Sequence, residues 1–175
     1  RVYAIRAVEA AGDSRQKKQI AEAVRSSING WDQRSVGAAL DCCFPDYLTV
    51  DDLLSILASI NPPAEYSSGL LKHSIEKAIH SGLKLKGQEV LLTGLVQLLE
   101  SEPHIEKRFC EVSERYSWLL GYAAQLAEKI VQKVRERVEG FSYAVLRTIE
   151  LMPQGKCYQD EYLADNELDR CIDEL

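Results

Sequence analysis

A chain of 175 residues with 46% hydrophobic and 27% charged side chains is long enough to bury a substantial core and is composed like an ordinary globular segment. No apolar run approaches the roughly 18 consecutive residues that a membrane-spanning helix requires, which argues against insertion by that route. A net charge of -6 excludes a grip on nucleic acid dominated by overall positive charge, since that grip comes from Lys and Arg neutralising many phosphates. Local basic patches stay open.

The first apolar stripe is Val2, Ile5 and Val8, which predicts a helix over about residues 1–11, ended by Gly12 and Asp13. Asp13 then caps a second helix. Gln16, three positions on, supplies the reciprocal half of a capping box, and Ile20, Val24 and Ile28 mark the buried face before Asn29-Gly30 stops it. Asp32 caps a third helix carrying Val36, Leu40 and Cys43, terminated by Pro45. Thr49 with Asp52 starts a fourth, whose Leu53, Ile56, Leu57 and Ile60 fall on one face, and Pro62-Pro63 breaks the chain.

Ser67 or Ser68 is expected to open a fifth helix with the stripe Leu71, Ile75, Ala78 and Ile79, ending near Gly82. The sixth, from about Gln88 to Glu100, carries Val90, Leu91, Leu92, Leu95, Val96, Leu98 and Leu99 around more than one face and is expected to be the most buried. After Pro103 comes a coiled-coil-like seam of Ile105, Phe109, Val112, Tyr116, Leu119, Ala123, Leu126 and Ile130, read as one long helix over about 104–138. A second apolar line from Ile130 through Val145 to Met152 passes Gly140, where a kink or break is expected, and Pro153 ends it. The tail from Gln154 is acidic, with a short amphipathic helix expected over Leu168, Cys171, Ile172 and Leu175.

No strand pattern competes, so the fold class is all-α: a right-handed array of antiparallel helices joined by short connections. The organisation expected is helix pairs over 1–61, a bundle over 64–153 containing the long helix, and the tail 154–175, folded as one continuous unit. The run Val2-Tyr3-Ala4-Ile5-Arg6-Ala7-Val8-Glu9-Ala10-Ala11-Gly12-Asp13, followed by a helix, a turn and Ser35-Val36-Gly37-Ala38-Ala39-Leu40, resembles HEAT-type helical repeats over roughly residues 1–60. That resemblance implies helix pairs in which small residues let successive pairs stack closely.

The five cysteines, Cys42, Cys43, Cys110, Cys157 and Cys171, are odd in number and form no C-x-x-C pair, so neither a disulfide framework nor a zinc ribbon is indicated and a reducing, cytoplasmic setting is expected. The amino-terminal residues lack the pattern of a secretory signal. A chain that opens at Arg1 inside an apolar stripe and stops on Leu175 is expected to be a segment of a larger intracellular protein.

Few constellations suggest chemistry. His73, Glu76 and His80 share a helical face, but two histidines seven residues apart lie about 10 Å apart along the axis, too loose for a metal, and no metal or cofactor is expected. Lys72, Lys77, Lys84 and Lys86, with His73 and His80, form the densest cationic stretch. Of these, Lys72, Lys77, His80, Lys84 and Lys86 are the candidates for contact with an anion or an acidic partner. Gly82 to Gly87 is followed by Gln88, not by the Lys of a phosphate-binding loop.

The charges Lys129, Lys133, Arg135, Arg137 and Arg147, alternating with Glu128, Glu136 and Glu139, read as a solvated helix face. Tyr116, Trp118 and Tyr122 are candidate interface aromatics, with burial in the core as the competing reading. No histidine stands beside a cysteine or a G-x-S-x-G serine, Cys42-Cys43 reads as packing, and Asp51-Asp52 suit a helix first turn. The function expected is therefore non-catalytic: a helical scaffold or protein–protein interaction segment with a protein partner. The alternatives are an accessory or sensor region of a multidomain NTPase or nucleic-acid enzyme, by analogy with the helical arrays of large signalling NTPases, and anion or nucleic-acid contact through Lys72 to Lys86.

Overall fold

The computed structural model describes residues 1–60, 69–101, 111–135 and 142–155. Among these there are eight α-helices and no strand, and no helix is long and apolar enough to cross a membrane. The chain divides into two compact units, Arg1–Leu83 and Lys84–Leu175.

In the first unit, α1 (Val2–Ala11) ends where expected, and the Gly12 amide donates to the Val8 carbonyl at 2.8 Å. Gly12 is extended, with φ -78° and ψ 152°, so it is not there for a left-handed turn. A Cβ at this position would lie 2.6 Å from the Val8 carbonyl oxygen, and close approach is what demands glycine. At the other end of α1, the Arg1 guanidinium donates to the Gly30 carbonyl at 2.8 Å and stacks 4.7 Å over the Trp31 ring.

The next helices start on the caps read from the sequence. For α2 (Ser14–Ser27), Asp13 accepts from the Gln16 amide at 2.8 Å while its own amide donates to Gln16 Oε1 at 3.0 Å. The buried face of α2 is Ala21 and Val24, with Ile20 and Ile28 half-buried, and a 3₁₀ turn over Ile28–Gly30 closes it. For α3 (Gln33–Cys43), Asp32 Oδ1 accepts from the Ser35 amide at 2.9 Å. For α4 (Val50–Ser59), Thr49 and Asp52 form a second capping box, and Leu53, Ile56, Leu57 and Ile60 are all buried. Leu71, Ile75, Ala78 and Ile79 are likewise buried on α5 (Gly69–Ile79), whose expected cap at Ser67 or Ser68 lies outside the described residues.

The most enclosed of these helices is α3. Ser35 through Leu40 are buried without interruption, as are Cys42 and Cys43, and α3 packs against α1, α2 and α5. This corrects the expectation for the sixth helix, where Val90 is exposed and Leu98 half-buried. Small side chains explain the difference: Gly37, Ala38 and Ala39 add little apolar area of their own but let neighbouring helices close on every side.

The second unit contains α6 (Leu85–Glu100), α7 (Leu120–Arg135) and α8 (Tyr143–Gly155), each packed against the other two. Its core combines Leu91, Leu92, Leu95, Val96 and Leu99 with Leu126, Ile130, Val145, Leu151 and Met152. The single long helix over 104–138 is not found. Residues 111–116 form a bend and turns, Ser117–Leu119 a 3₁₀ turn, and only then does α7 begin. The Ser113 amide donates to the Leu99 carbonyl at 2.5 Å, tying the segment back to the end of α6 instead of extending a helix.

Serine competes with helical geometry through its own hydroxyl, and Ser117 Oγ donates to the Glu114 carbonyl at 3.1 Å. Gly140 lies outside the described residues, as does the expected tail helix. Pro153 sits inside the last turn of α8, which runs on to Gly155 at the cost of one amide donor. The fifth helix lies in the first unit, which runs to Leu83.

One carboxylate serves two purposes in the first unit. Asp52 completes the capping box of α4 and receives the Arg25 guanidinium of α2 at 2.9 and 2.8 Å, while Arg25 also donates to the Tyr47 carbonyl at 2.7 Å. The Arg25 hydrogen bonds, then those from Thr49, hold the Asp52 carboxyl down at about 2 against an ordinary 3.8. A depressed carboxyl stabilises the fold above its unfolded value and loses that contribution as pH falls through the folded value. Urea unfolding between pH 5 and pH 2 should therefore show Asp52→Asn losing less stability than the parent, by on the order of 1 kcal/mol after solvent screening at exposed Arg25; parallel pH curves would remove Asp52 from the account.

Candidate functional site

The cationic stretch singled out by the sequence divides between the two units. Lys72 and Lys77 stand on α5 with His80 just beyond it, whereas Lys84 is the N-cap of α6 and Lys86 lies in its first turn. Lys72, His73, His80, Lys84 and Lys86 are exposed. Lys77 is half-exposed but already engaged: its Nζ lies 3.8 Å from Glu9 and 3.7 Å from Asp41.

Those two carboxylates also bind Arg6, at 2.5 Å through Glu9 and 2.8 Å through Asp41. The result is a four-residue network across α1, α3 and α5 in which Asp41, with only 3% of its side chain exposed, is the buried centre. Asp41 Oδ1 accepts no hydrogen bond among the described residues, so its charge is balanced through space by Lys77. The bond to Glu9, followed by that to Asp41, raises the Arg6 pKa despite the opposing effect of burial. Lys77 is therefore occupied by acids of its own chain and is no free cation.

In the second unit a similar arrangement surrounds Arg147 of α8. It bonds Glu100 at the end of α6 at 2.5 Å, Glu150 one turn along α8 at 2.9 Å, and Glu111 of the segment before α7. Glu111 is fixed further by its amide, which donates to Gln154 at 2.6 Å. These bonds, led by Glu100, raise the Arg147 pKa, and Arg147 lowers that of Glu111. The expected solvated stripe thus does not hold for Arg147, which is an inter-element clamp. Lys133 reaches the buried Gln88 at 2.8 Å, and Glu128 accepts from Gln132 at 2.9 Å. Glu136, Arg137 and Glu139 lie outside the described residues.

Tyr116, Trp118 and Tyr122 do not form an exposed ridge. They are 5%, 3% and 7% exposed. Trp118 and Tyr122 meet edge to face with ring centroids 6.3 Å apart, and the Arg115 guanidinium lies 5.1 Å from the Tyr116 ring. Tyr116 and Trp118 turn inward because the chain at 111–119 bends back to α6 before α7 starts. The buried indole N–H of Trp118 has no hydrogen-bond acceptor among the described residues.

Among the described residues, no group of three or more His, Cys, Asp or Glu side chains is placed to hold a metal ion. His104 lies outside the described residues. Cys42 and Cys43 are buried free thiols. Burial pushes the Cys43 thiol up to about 12, and it donates to the Lys17 carbonyl at 3.4 Å, so it is held as a protonated packing group. No family model, curated protein or solved structure matches the chain.

The ion networks were invisible to periodicity, because Glu9, Asp41 and Lys77 come from three separate helices. Only the local halves, Arg6 with Glu9 and Arg147 with Glu150 at i, i+3, have a sequence signal. A double-mutant cycle read by urea unfolding should give Arg6→Ala with Asp41→Ala a coupling of about 1–3 kcal/mol, and Lys77→Ala with Asp41→Ala about 0.5 kcal/mol or less. The reverse ranking would make Lys77 the principal partner. Trp118→Ala should cost about 3–5 kcal/mol, as removal of a core aromatic does, where an exposed aromatic would cost well under 1 kcal/mol in the same assay.

Proposed function

We propose that this chain is a non-catalytic helical scaffold, a protein–protein interaction segment of a cytoplasmic protein, whose first unit stacks its helices in the right-handed, antiparallel manner of HEAT repeats. The packing order supports that stacking: α3 packs against both α1 and α5, so alternate helices lie side by side as they do when helix pairs follow one another. The small residues along α3 serve the close approach that such stacking needs. Buried reduced thiols at Cys42 and Cys43 suit a reducing compartment, and a thiol kept protonated is a poor nucleophile.

The observation that carries the reading is the outer face of α1. Ile5 is the one fully buried residue of that helix, while Tyr3, 90% exposed, and Ala4, Ala7, Ala10 and Ala11 all face solvent. The two charged residues within α1, Arg6 and Glu9, are turned into the ion network. A solvent-facing helix side ordinarily carries polar residues, and this one is uncharged. Its occupant in this proposal is an amphipathic helix of a partner protein, laid along Tyr3, Ala7 and Ala10.

Photo-crosslinking from a benzoylphenylalanine placed at position 3 of the full-length protein in its own cells tests this. The expected product joins one helical segment of a second protein and disappears in the Ala7→Glu variant, whose circular dichroism and melting stay unchanged. Cross-links scattered over many proteins, an unaltered yield with Ala7→Glu, or a cross-link within the same polypeptide would each overturn partner binding at this face.

A further inference from the structure

We draw no further inference here: the strongest candidate, the lysine cluster where Lys133 of α7 meets Gln88 near the start of α6 beside Lys84 and Lys86, rests on a helix amino terminus and surface lysines, and no second observation points to a ligand.

Discussion

The close packing of helices around α3 is the constraint from which the first unit follows. Six consecutive buried residues, Ser35 to Leu40, cannot belong to one stripe of a 3.6-residue helix, so α3 must be covered on all sides. Gly37, Ala38 and Ala39 at its centre are small enough for α1, α2 and α5 to pack against it together. The polar ends of α3 are then satisfied locally. Asp32 holds the Ser35 amide and hydroxyl at the start, and the Phe44 amide returns to the Leu40 carbonyl at the finish. Against this enclosed helix, α1 contributes a single buried anchor, Ile5.

Charge is organised around the same packing. In each unit one site gathers opposite charges from elements distant in sequence: Asp41 between Arg6 and Lys77 in the first, Arg147 among Glu100, Glu111 and Glu150 in the second. The exposed members of these networks contribute about 0–1 kcal/mol each, so apart from the Arg6–Asp41 pair they are minor beside the apolar cores. Their effect is on registry: a carboxylate as buried as Asp41 is costly unless α1 and α3 are aligned to bring Arg6 to it. The cationic stretch that looked like a binding patch is partly consumed in this way, since Lys77 answers Glu9 and Asp41.

Helix starts were legible in the sequence wherever the determinant was local. Asp13 with Gln16, Asp32 with Ser35, and Thr49 with Asp52 each act over three residues, and all three caps form. Apolar periodicity was less dependable because it reports burial, whatever the backbone conformation. Val112, Tyr116 and Leu119 keep their spacing and are buried, yet none lies in an α-helix. The enclosure of α3 was missed for the opposite reason, since small residues carry little hydrophobic signal when buried on several faces. Of the candidate sites, the aromatic trio has a spacing that suits an interface or a core equally and is buried, whereas the engagement of Lys77 depends on carboxylates that no local pattern connects to it.

The centre of α3 is enclosed at Ala38, whereas α1 is exposed at Ala7. Thermal and urea unfolding of Ala38→Leu and Ala7→Leu, made in the same chain, measure that contrast directly. Ala38 is fully buried and Ala7 is exposed, so the first substitution should cost about 1–3 kcal/mol or more through overpacking and the second no more than about 0.5 kcal/mol. Equal costs, or a tolerated leucine at position 38, would contradict the packing described for this protein.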